Sequence, residues 1–489
     1  MTDESTPSHL SQLPPEMLDF TILKRTTTLA PRLGRLSLSS RKTILTPGFL
    51  GNTSRGIVPH VSQDNFPKTG INGVYIALED FVEKHPQKTP PIFQIEASDP
   101  LRRFIALPHD SLIVLGARRQ PPIPSAATNT NSEIGILTSV GFRTISSEYY
   151  AAAARKLQPD IVVGLADIPF GQETIGSRRK DKMSDRTETW TRDIIAKRNT
   201  IEKGTPRYNV FAPILPIEKE LQSWYLEHLL DDMVDKISGV AIYDSHLLDQ
   251  LPEELQPLPR LSFDNPTSPQ ALLRQVGLGM DLFTVPFVTE ATDAGIALEF
   301  TFPAPQKTNG AERRSLGIDM WQNEHSESVI PLTEGCKCYA CTKHHRAYIQ
   351  HLLGAKEMLG WVLIQLHNHE ILSAFFAGIR NSIETNNFEQ DVAAFEVFYE
   401  PKLPEKTGSG PRVRGYQFQA QEHGKSTKKN PKAYKPLSAP LNVFHGHQPN
   451  SKPEVKEVID DEALVGLVGI ENIGRTEQLE RLRIEDDHS

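Results

Sequence analysis

The segment SSEYYAAAARKLQPDIVVGLAD, residues 146–167, indicates how the rest of the sequence folds. Its first half predicts a helix, and its second half is an almost continuous run of valine, isoleucine and leucine. A strand of that composition is typical of a sheet that is covered on both faces, as parallel sheets usually are. The segment therefore predicts a helix followed by a buried strand.

The same order recurs along the chain. LQSWYLEHLLDDMVDKI (221–237) precedes ISGVAIYD, and SPQALLRQVGLG (268–279) precedes MDLFTVPF. Further strands are predicted for FTILKRT, GVYIAL, SLIVLGA, LPRLSFD and IALEFTF. Because helices and strands alternate, we expect parallel β/α units. Their extent, residues 21–330, favours an α/β fold of the (β/α)8 TIM-barrel type over an open sheet.

Net charge, the N-terminal stretch and the length of the apolar runs argue against a highly basic, a secreted or a membrane-spanning protein. The 489 residues carry a net charge of −8, so a protein coated in positive charge is excluded, but a local basic groove for RNA phosphates is not. The N-terminal stretch MTDESTPSHLSQLPPEMLDF lacks the basic start and apolar core of a signal peptide. No run approaches the roughly 18 apolar residues that a membrane-spanning helix needs. We expect a soluble intracellular protein, or at most a peripheral membrane protein.

The chain has only three cysteines, Cys336, Cys338 and Cys341, within the segment GCKCYACTKHH. An odd, clustered set does not describe a disulfide framework. Three thiolates on one turn can instead occupy three corners of a tetrahedron around Zn²⁺, at about 2.3 Å each. The cluster therefore predicts a metal site.

The fourth ligand must come from another part of the chain. The candidates are His344, His345, His351, His367 and His369. His367 is favoured because a ligand from a returning helix ties two elements together, as structural sites usually do; His369 is its nearest rival. Four protein ligands leave no open coordination position, so we expect one structural zinc ion rather than a catalytic one.

These observations divide the chain into four regions. We expect a flexible leader (1–20), the barrel (21–330), a zinc-binding subdomain with the closing helices of the barrel (331–400), and a low-complexity, largely disordered tail (401–489). In the third region one apolar helical stripe is expected to pack on the barrel: Leu372, Phe375, Phe376, Ile379 and Ile383. A short helix, TEQLERLRIEDD, is predicted near the end of the tail.

The tail also carries a basic stretch between residues 402 and 435. Its cations are Lys402, Lys406, Arg412, Arg414, Lys425, Lys428, Lys429, Lys432 and Lys435, and its only acids are Glu405 and Glu422. Such a stretch is typical either of a solvated linker or of a segment that contacts RNA phosphates.

The cysteine motif, followed by HHRAYIQHLLGAKEMLG and by LHNHEILSAFFAGIRNSI with its His-Asn pair, resembles the zinc subdomain of the tRNA-guanine transglycosylases. The resemblance covers about residues 20–390. One similar segment is LGRLSLSSRKTILTPGFLGNTSRGIVPH (33–60), in which a strand follows the Thr-Pro pair. The others are PDIVVGLADIP, together with Asp185-Arg186-Thr187 and Trp190, and GLGMDLFTVPFVTEATDAGIALEF. The resemblance implies a (β/α)8 barrel and makes His367 the fourth zinc ligand. It also implies base exchange in tRNA, in which an aspartate attacks C1′ of guanosine 34 and queuine replaces guanine.

The sequence departs from this family where chemistry is done. In the run Asp281-Leu282-Phe283-Thr284-Val285-Pro286-Phe287-Val288-Thr289-Glu290, Thr284 stands at the position of the nucleophilic aspartate. A threonine hydroxyl is a weak nucleophile unless a base activates it. Asp281 matches a preceding aspartate of the family, and its odd offset from Thr284 places it on the opposite side of a strand.

Two further family elements are missing. SLIVLGARRQPPIP lies where the family has Asp-Ser-Gly-Gly-Phe-Gln, which carries its general acid/base, and Ser238 to Tyr243 lie where it has a glycine-rich base-binding loop. Asp167 matches a base-recognising aspartate, so we expect it to be a vestigial base-binding residue. No residue is predicted to be catalytic.

The resemblance therefore implies a non-catalytic subunit of a heterodimeric queuine tRNA-ribosyltransferase. Its partners would be the catalytic subunit and tRNA, with no integral membrane association. It would support exchange at wobble position 34 of tRNAs with GUN anticodons (Asp, Asn, His, Tyr). We expect a cytoplasmic location, with a peripheral position at the mitochondrial outer surface left open. The alternatives are an active transglycosylase with a displaced nucleophile such as Asp281, and a zinc-stabilised barrel with unrelated binding duties.

Overall fold

The structure, a computed structural model, describes residues 18–25, 30–83, 88–124, 129–138, 140–171, 174–200, 207–306 and 312–411. Most of the predicted leader, and the tail from residue 412 with its predicted helix, lie outside the described residues. Within the described part, no helix combines the length and hydrophobicity of a transmembrane span.

The strands are β1 (Asp19–Arg25), β2 (Arg32–Ser37), β3 (Ile44–Thr46), β4 (Gly48–Asn52), β5 (Gly73–Ala77), β6 (Leu112–Gly116), β7 (Glu133–Thr138), β8 (Gly141–Ser146), β9 (Ile161–Val163), β10 (Asn209–Ile214), β11 (Gly239–Ile242), β12 (Arg260–Ser262), β13 (Leu282–Thr284), β14 (Ile296–Leu298) and β15 (Gly317–Asp319). The α-helices are α1 (Pro100–Phe104), α2 (Ser147–Leu157), α3 (Ser177–Asn199), α4 (Ser223–His228), α5 (Pro269–Gly277), α6 (Pro286–Asp293), α7 (Tyr339–Lys343), α8 (Arg346–Gly354), α9 (Met358–Glu384) and α10 (Phe388–Phe398).

Eight parallel strands form a closed barrel in the order β4, β5, β6, β9, β10, β11, β12 and β13, and β13 pairs with β4 to close it. This topology confirms the predicted TIM-type barrel. Its strands lie within the predicted range 21–330. β1, β2 and β3 form a separate antiparallel sheet, and β7 pairs with β8 and β14 with β15.

All eight strands predicted from composition are present, but two lie outside the barrel. FTILKRT contributes residues 20–25 to β1, and IALEFTF contributes β14 beside β15. The sequence pattern does not predict β10, because Pro213 interrupts its apolar run and proline cannot donate to a sheet. β4 carries two glycines and is indicated only by the family resemblance.

One predicted helix is irregular. Residues 221–237 form the short helix α4, then a π-helical turn at Leu229–Met233 and a 3-10 turn at Val234–Lys236. The predicted stripe on α9 is confirmed: its five residues are buried, and Phe376 contacts the rings of Phe49 and Phe283 on the outer face of the barrel.

Arginine–aspartate pairs occupy the amino end of the barrel. Asp281, immediately before β13, accepts from Arg32 Nε at 2.9 Å and Nη2 at 2.5 Å. Asp160, immediately before β9, accepts from Arg41 at 2.9 Å and from Arg102 at 3.0 Å. These carboxylates therefore link strands to the surrounding segments at the end opposite to the carboxyl ends of the strands, where TIM-barrel active sites lie.

Candidate metal centre and barrel mouth

Cys336 lies on the turn before α7, Cys338 is the N-cap of α7, and Cys341 lies within this helix, while His367 lies within α9. His367 Nδ1 is 3.6 Å from the sulfurs of Cys336 and Cys338 and 3.4 Å from that of Cys341. Zn–S and Zn–N bonds of about 2.3 and 2.0–2.1 Å that meet at the tetrahedral angle separate sulfur from nitrogen by about 3.5–3.6 Å. The four atoms therefore have the spacing of a tetrahedral zinc site.

The structure brings one of the candidate histidines to the cysteines. Of the five candidates, only His367 belongs to the group of ligand atoms that lie within 4.8 Å of one another. His369 instead faces Gln365, at 3.2 Å, and stacks on Phe49. Burial lowers its pKa to about 4, so it is neutral at physiological pH.

The surroundings of His367 select one tautomer. Its Nε2 lies 2.9 Å from the backbone oxygen of Leu298 in β14, and a carbonyl oxygen can only accept. The proton is therefore on Nε2, and the lone pair of Nδ1 points at the three sulfurs. A histidine that donates its second nitrogen to a carbonyl is the usual arrangement of a metal ligand.

The thiols also have the chemistry of a metal site. Hydrogen bonding with Cys336 and Cys341, together with burial, raises the pKa of Cys338. Hydrogen bonds from Cys336 and Cys338 stabilise the thiolate of Cys341 and lower its pKa to about 3. Three adjacent thiols do not all ionise unless a cation compensates their charge, and Zn²⁺ does this with four ligands and no open position. The residues present therefore fit a structural zinc ion.

Asn368, the next residue on α9, fixes the strand that His367 contacts. Its Oδ1 accepts from the backbone N–H of Leu298 at 2.8 Å. Its Nδ2 donates to the backbone oxygen of Ile296 at 3.0 Å and to Thr292 Oγ1 at 2.9 Å. The His-Asn pair thus holds both ends of β14, and the metal centre is connected to the barrel through this strand.

The barrel mouth, formed by the carboxyl ends of the strands, contains Thr284 at the end of β13. Thr284 is 0% exposed, and its Oγ1 has no hydrogen-bond partner among the described residues. Among the described residues, therefore, no base is hydrogen-bonded to this hydroxyl. Asp281 lies three residues earlier, about 10 Å along an extended strand, and is bound to Arg32.

Asp167, just beyond β9, is present at the mouth but is already bound. Both terminal guanidinium nitrogens of Arg179, Nη1 and Nη2, donate to its carboxylate at 2.6 Å. Arg186 donates to the same carboxylate at 3.0 Å, and Asn129 donates at 2.6 Å. Its role in base binding remains a prediction. The arginine partners do leave a signal in the sequence: Arg179 and Arg186 are seven residues apart and so share a face of α3.

The cavity at the mouth is small. It has a volume of about 20 Å³, enough for about one water molecule, and its walls include Tyr75, Arg118, Phe170 and Tyr243. The Arg118 guanidinium lies 5.1 Å from the centre of the Phe170 ring, and burial lowers the pKa of Arg118. Burial raises the pKa of Tyr243 to about 12, so its hydroxyl is protonated at neutral pH. The side chains around this cavity therefore leave little free space on that side of the mouth.

Fold and site together define the class: a parallel (β/α)8 barrel with a Cys₃His subdomain beyond its last strand. Comparison with known proteins agrees, since the family model described as queuine tRNA-ribosyltransferase matches residues 27–401. The chain belongs to this family.

Its relatives include proteins named queuine tRNA-ribosyltransferase accessory subunit 2. The protein of that name from Schizosaccharomyces pombe is 36% identical over 382 residues, which cover 77% of this chain and 83% of the relative. The Drosophila mojavensis protein is 26% identical and covers 74% and 88% of the two chains. The Homo sapiens protein is 25% identical and covers 73% and 95%.

Proposed function

We propose that this chain is the non-catalytic subunit of a heterodimeric queuine tRNA-ribosyltransferase. In this assembly it supports the exchange of guanine for queuine at wobble position 34 of tRNAs with GUN anticodons. The observation that carries the proposal is Thr284, because a hydroxyl without a base replaces the family's nucleophilic carboxylate at the end of β13. The names of the relatives support the accessory role.

The two candidate aspartates and the cavity at the mouth favour the same function. Asp281 is an unsuitable substitute nucleophile, since it lies at the amino end of β13 and its carboxylate is neutralised by Arg32. Asp167 has its acceptor positions filled by Arg179, Arg186 and Asn129. A cavity of about 20 Å³ has no room for a base unless side chains move.

The Cys₃His group binds one zinc ion in this proposal. Its four protein ligands close the coordination sphere, so the ion stabilises the subdomain and takes no part in chemistry. Zinc binding is coupled to folding, because the turn and α9 are brought together only in the native state.

The subdomain around this zinc ion, residues 336–384, is proposed to lie at or near the interface with the catalytic subunit. Large apolar side chains are exposed in and beside it: Val329, Ile330, Tyr339, Met358 and Leu359. Apolar and aromatic side chains of this kind are typical of the buried centre of protein interfaces.

For tRNA, the proposal assigns contacts to basic side chains near the zinc site and to the basic stretch of the tail, most of which lies outside the described residues. The assembly is proposed to be cytoplasmic, with peripheral binding at the mitochondrial outer surface as a further possibility for its location.

Reconstitution tests the proposal. The chain, a catalytic homologue and their mixture are each assayed for radiolabelled guanine incorporation into tRNA, and the mixture is examined for co-purification. The proposal predicts no incorporation by the chain alone, a stable complex, and higher incorporation by the complex than by the homologue alone. Failure to co-purify, or incorporation by the isolated chain, would contradict it.

A further inference from the structure

Trp224, in the short helix α4, is 57% exposed, whereas the other tryptophans of the chain are buried or half-buried. The ring of His228, one turn later, lies edge-on against its indole, with the ring centres 4.1 Å apart. The next residue, Tyr225, is buried and donates its hydroxyl to the backbone oxygen of Pro213 in β10 at 2.8 Å. The helix is therefore fixed on the barrel, and it presents a large aromatic side chain to solvent.

Carboxylates share the exposed side of this helix. Glu220, Glu227 and Asp231 lie four residues before Trp224 and three and seven residues after it, so the helical spacing places them on its side. All three are exposed, and none forms an ion pair with another described residue. Between residues 218 and 235 the chain carries six carboxylates and only one lysine. The indole therefore lies in a strongly negative surface.

The negative surface continues on the turns after β11. The backbone N–H of Lys219 donates to Gln250 Oε1 at 2.8 Å, which joins the segment before α4 to these turns. Asp249, Glu253 and Glu254 are exposed there. The excess of negative charge is thus a property of this side of the barrel and does not come from α4 alone.

The helix is also irregular directly after Trp224. A π-helical turn, Leu229–Met233, follows α4 and carries Asp231 on its exposed side, since Leu229 and Met233 are buried. Turns of this kind are rare in proteins and occur frequently at functional sites. The backbone therefore agrees with the side chains in indicating a binding surface.

The charge of this surface decides which partner fits it. A nucleic acid would bring phosphates against carboxylates, and like charges placed together oppose binding. A lysine or arginine side chain can instead lie over the face of a tryptophan ring, while neighbouring cations pair with carboxylates. Tryptophan is also enriched among the residues that contribute most to protein interfaces. A cationic protein segment therefore matches both the ring and the charge.

We propose that this side of α4 docks a cationic segment of a partner protein. A lysine or arginine of that segment lies over the indole of Trp224, and further cations face Glu220, Glu227 and Asp231. These four residues are called the Trp224 face. They lie outside the subdomain 336–384 to which the catalytic subunit is assigned, so failure of this inference would leave the proposed function intact.

Fluorine NMR on the full chain, labelled with 5-fluorotryptophan, tests the inference. The chain has four tryptophans, and Trp224→Phe identifies the resonance of Trp224. A synthetic peptide of alternating glycine and arginine is expected to shift this resonance to saturation, and less strongly as salt is added. The resonances of the buried Trp190 and Trp361 should stay in place. A peptide with glutamate in place of arginine, and a single-stranded oligouridylate, should leave the Trp224 resonance unchanged.

Substitutions on the Trp224 face should weaken peptide binding. In calorimetry, Trp224→Ala is expected to lower the affinity for the arginine peptide by about 2–5-fold, the value of one cation–π contact at an exposed site. The double substitution Glu227→Gln and Asp231→Asn should lower it further and reduce its salt dependence. The matched control is Glu96→Gln, which removes an exposed carboxylate outside this face that forms no ion pair with another described residue. It should bind the peptide like the wild type, and thermal unfolding checks that every variant is folded.

Four results would overturn the inference. They are a Trp224 resonance that the arginine peptide does not shift, an equal shift with oligouridylate, unchanged affinity in Trp224→Ala, and an equal loss of affinity in Glu96→Gln. A shift of this resonance when the protein concentration alone is raised would also overturn it, because a second copy of the chain would then cover the face.

Discussion

The fold brings side chains together both at the Cys₃His group and at the barrel mouth. In the first they converge on one point, and in the second they do not. At the Cys₃His group, four ligand atoms converge on one point and the second nitrogen of His367 is fixed by a carbonyl. At the mouth, Asp167 is bound by arginines of its own chain, and Thr284 has no described partner. The difference is the one expected from the proposed function, in which the Cys₃His group binds a structural metal ion and the mouth does no chemistry.

The largest effect is expected from Cys338→Ser. Cys338 caps α7 by accepting from the backbone N–H of Cys341, and serine caps helices well, so the substitution removes chiefly the metal ligand. We expect loss of zinc and misfolding, because the binding energy of a structural zinc ion is part of the folding energy. Zinc content and circular dichroism measure this.

His344→Ala is the control, since His344 lies close in sequence but outside the ligand group. It should keep one equivalent of zinc and the native fold. If freshly purified, folded wild-type protein contains less than about half an equivalent of zinc, the Cys₃His group is not a structural zinc site.

Asp281→Ala should have the next largest effect, and only on stability. The substitution leaves Arg32 buried without its counter-charge, which typically costs about 3–5 kcal/mol. Asp99→Ala, which breaks an exposed pair with Arg103, should cost no more than about 1 kcal/mol. Denaturant unfolding compares the two. Base exchange by the wild-type chain that is lost in folded Asp281→Ala would favour the displaced-nucleophile alternative.

A smaller effect is expected from Asn368→Ala. It leaves the Leu298 amide, the Ile296 carbonyl and the Thr292 hydroxyl without their partner, at a cost of about 2–4 kcal/mol. Because Leu298 also accepts from His367, zinc affinity should fall by about 10–100-fold. Competition with a chelator gives this affinity, and Glu370→Gln on the same helix is the control. Unchanged zinc affinity would mean that β14 does not position the metal ligand.

Features that depend on residues close together in the sequence can be predicted from it, whereas contacts between distant residues cannot. The barrel follows from local composition repeated along the chain, and the three cysteines lie within six residues. The fourth ligand is left open by spacing, because five candidate histidines lie between residues 344 and 369, and the path of α9 brings Nδ1 of His367 to the sulfurs.

The contacts at the barrel mouth are also hard to predict, because they join residues from different elements. Asp167 and Arg179 are recognisable as single residues, but their bidentate contact depends on how the start of α3 is placed relative to the segment that follows β9. Spacing shows that Arg179 and Arg186 share a helix face, and it cannot show which carboxylate that face meets. The strand β10 is missed for a local reason, its proline.

Covalent trapping on tRNA is the most direct test of the central claim that this chain does no chemistry. The isolated wild-type chain and Thr284→Asp are incubated with tRNA and examined for a protein–tRNA species that survives denaturant. We predict none for either protein, since the wild type lacks the nucleophile and the variant still lacks the acid/base motif, the glycine-rich loop and an open pocket. A denaturant-resistant species on the wild-type chain would contradict the account.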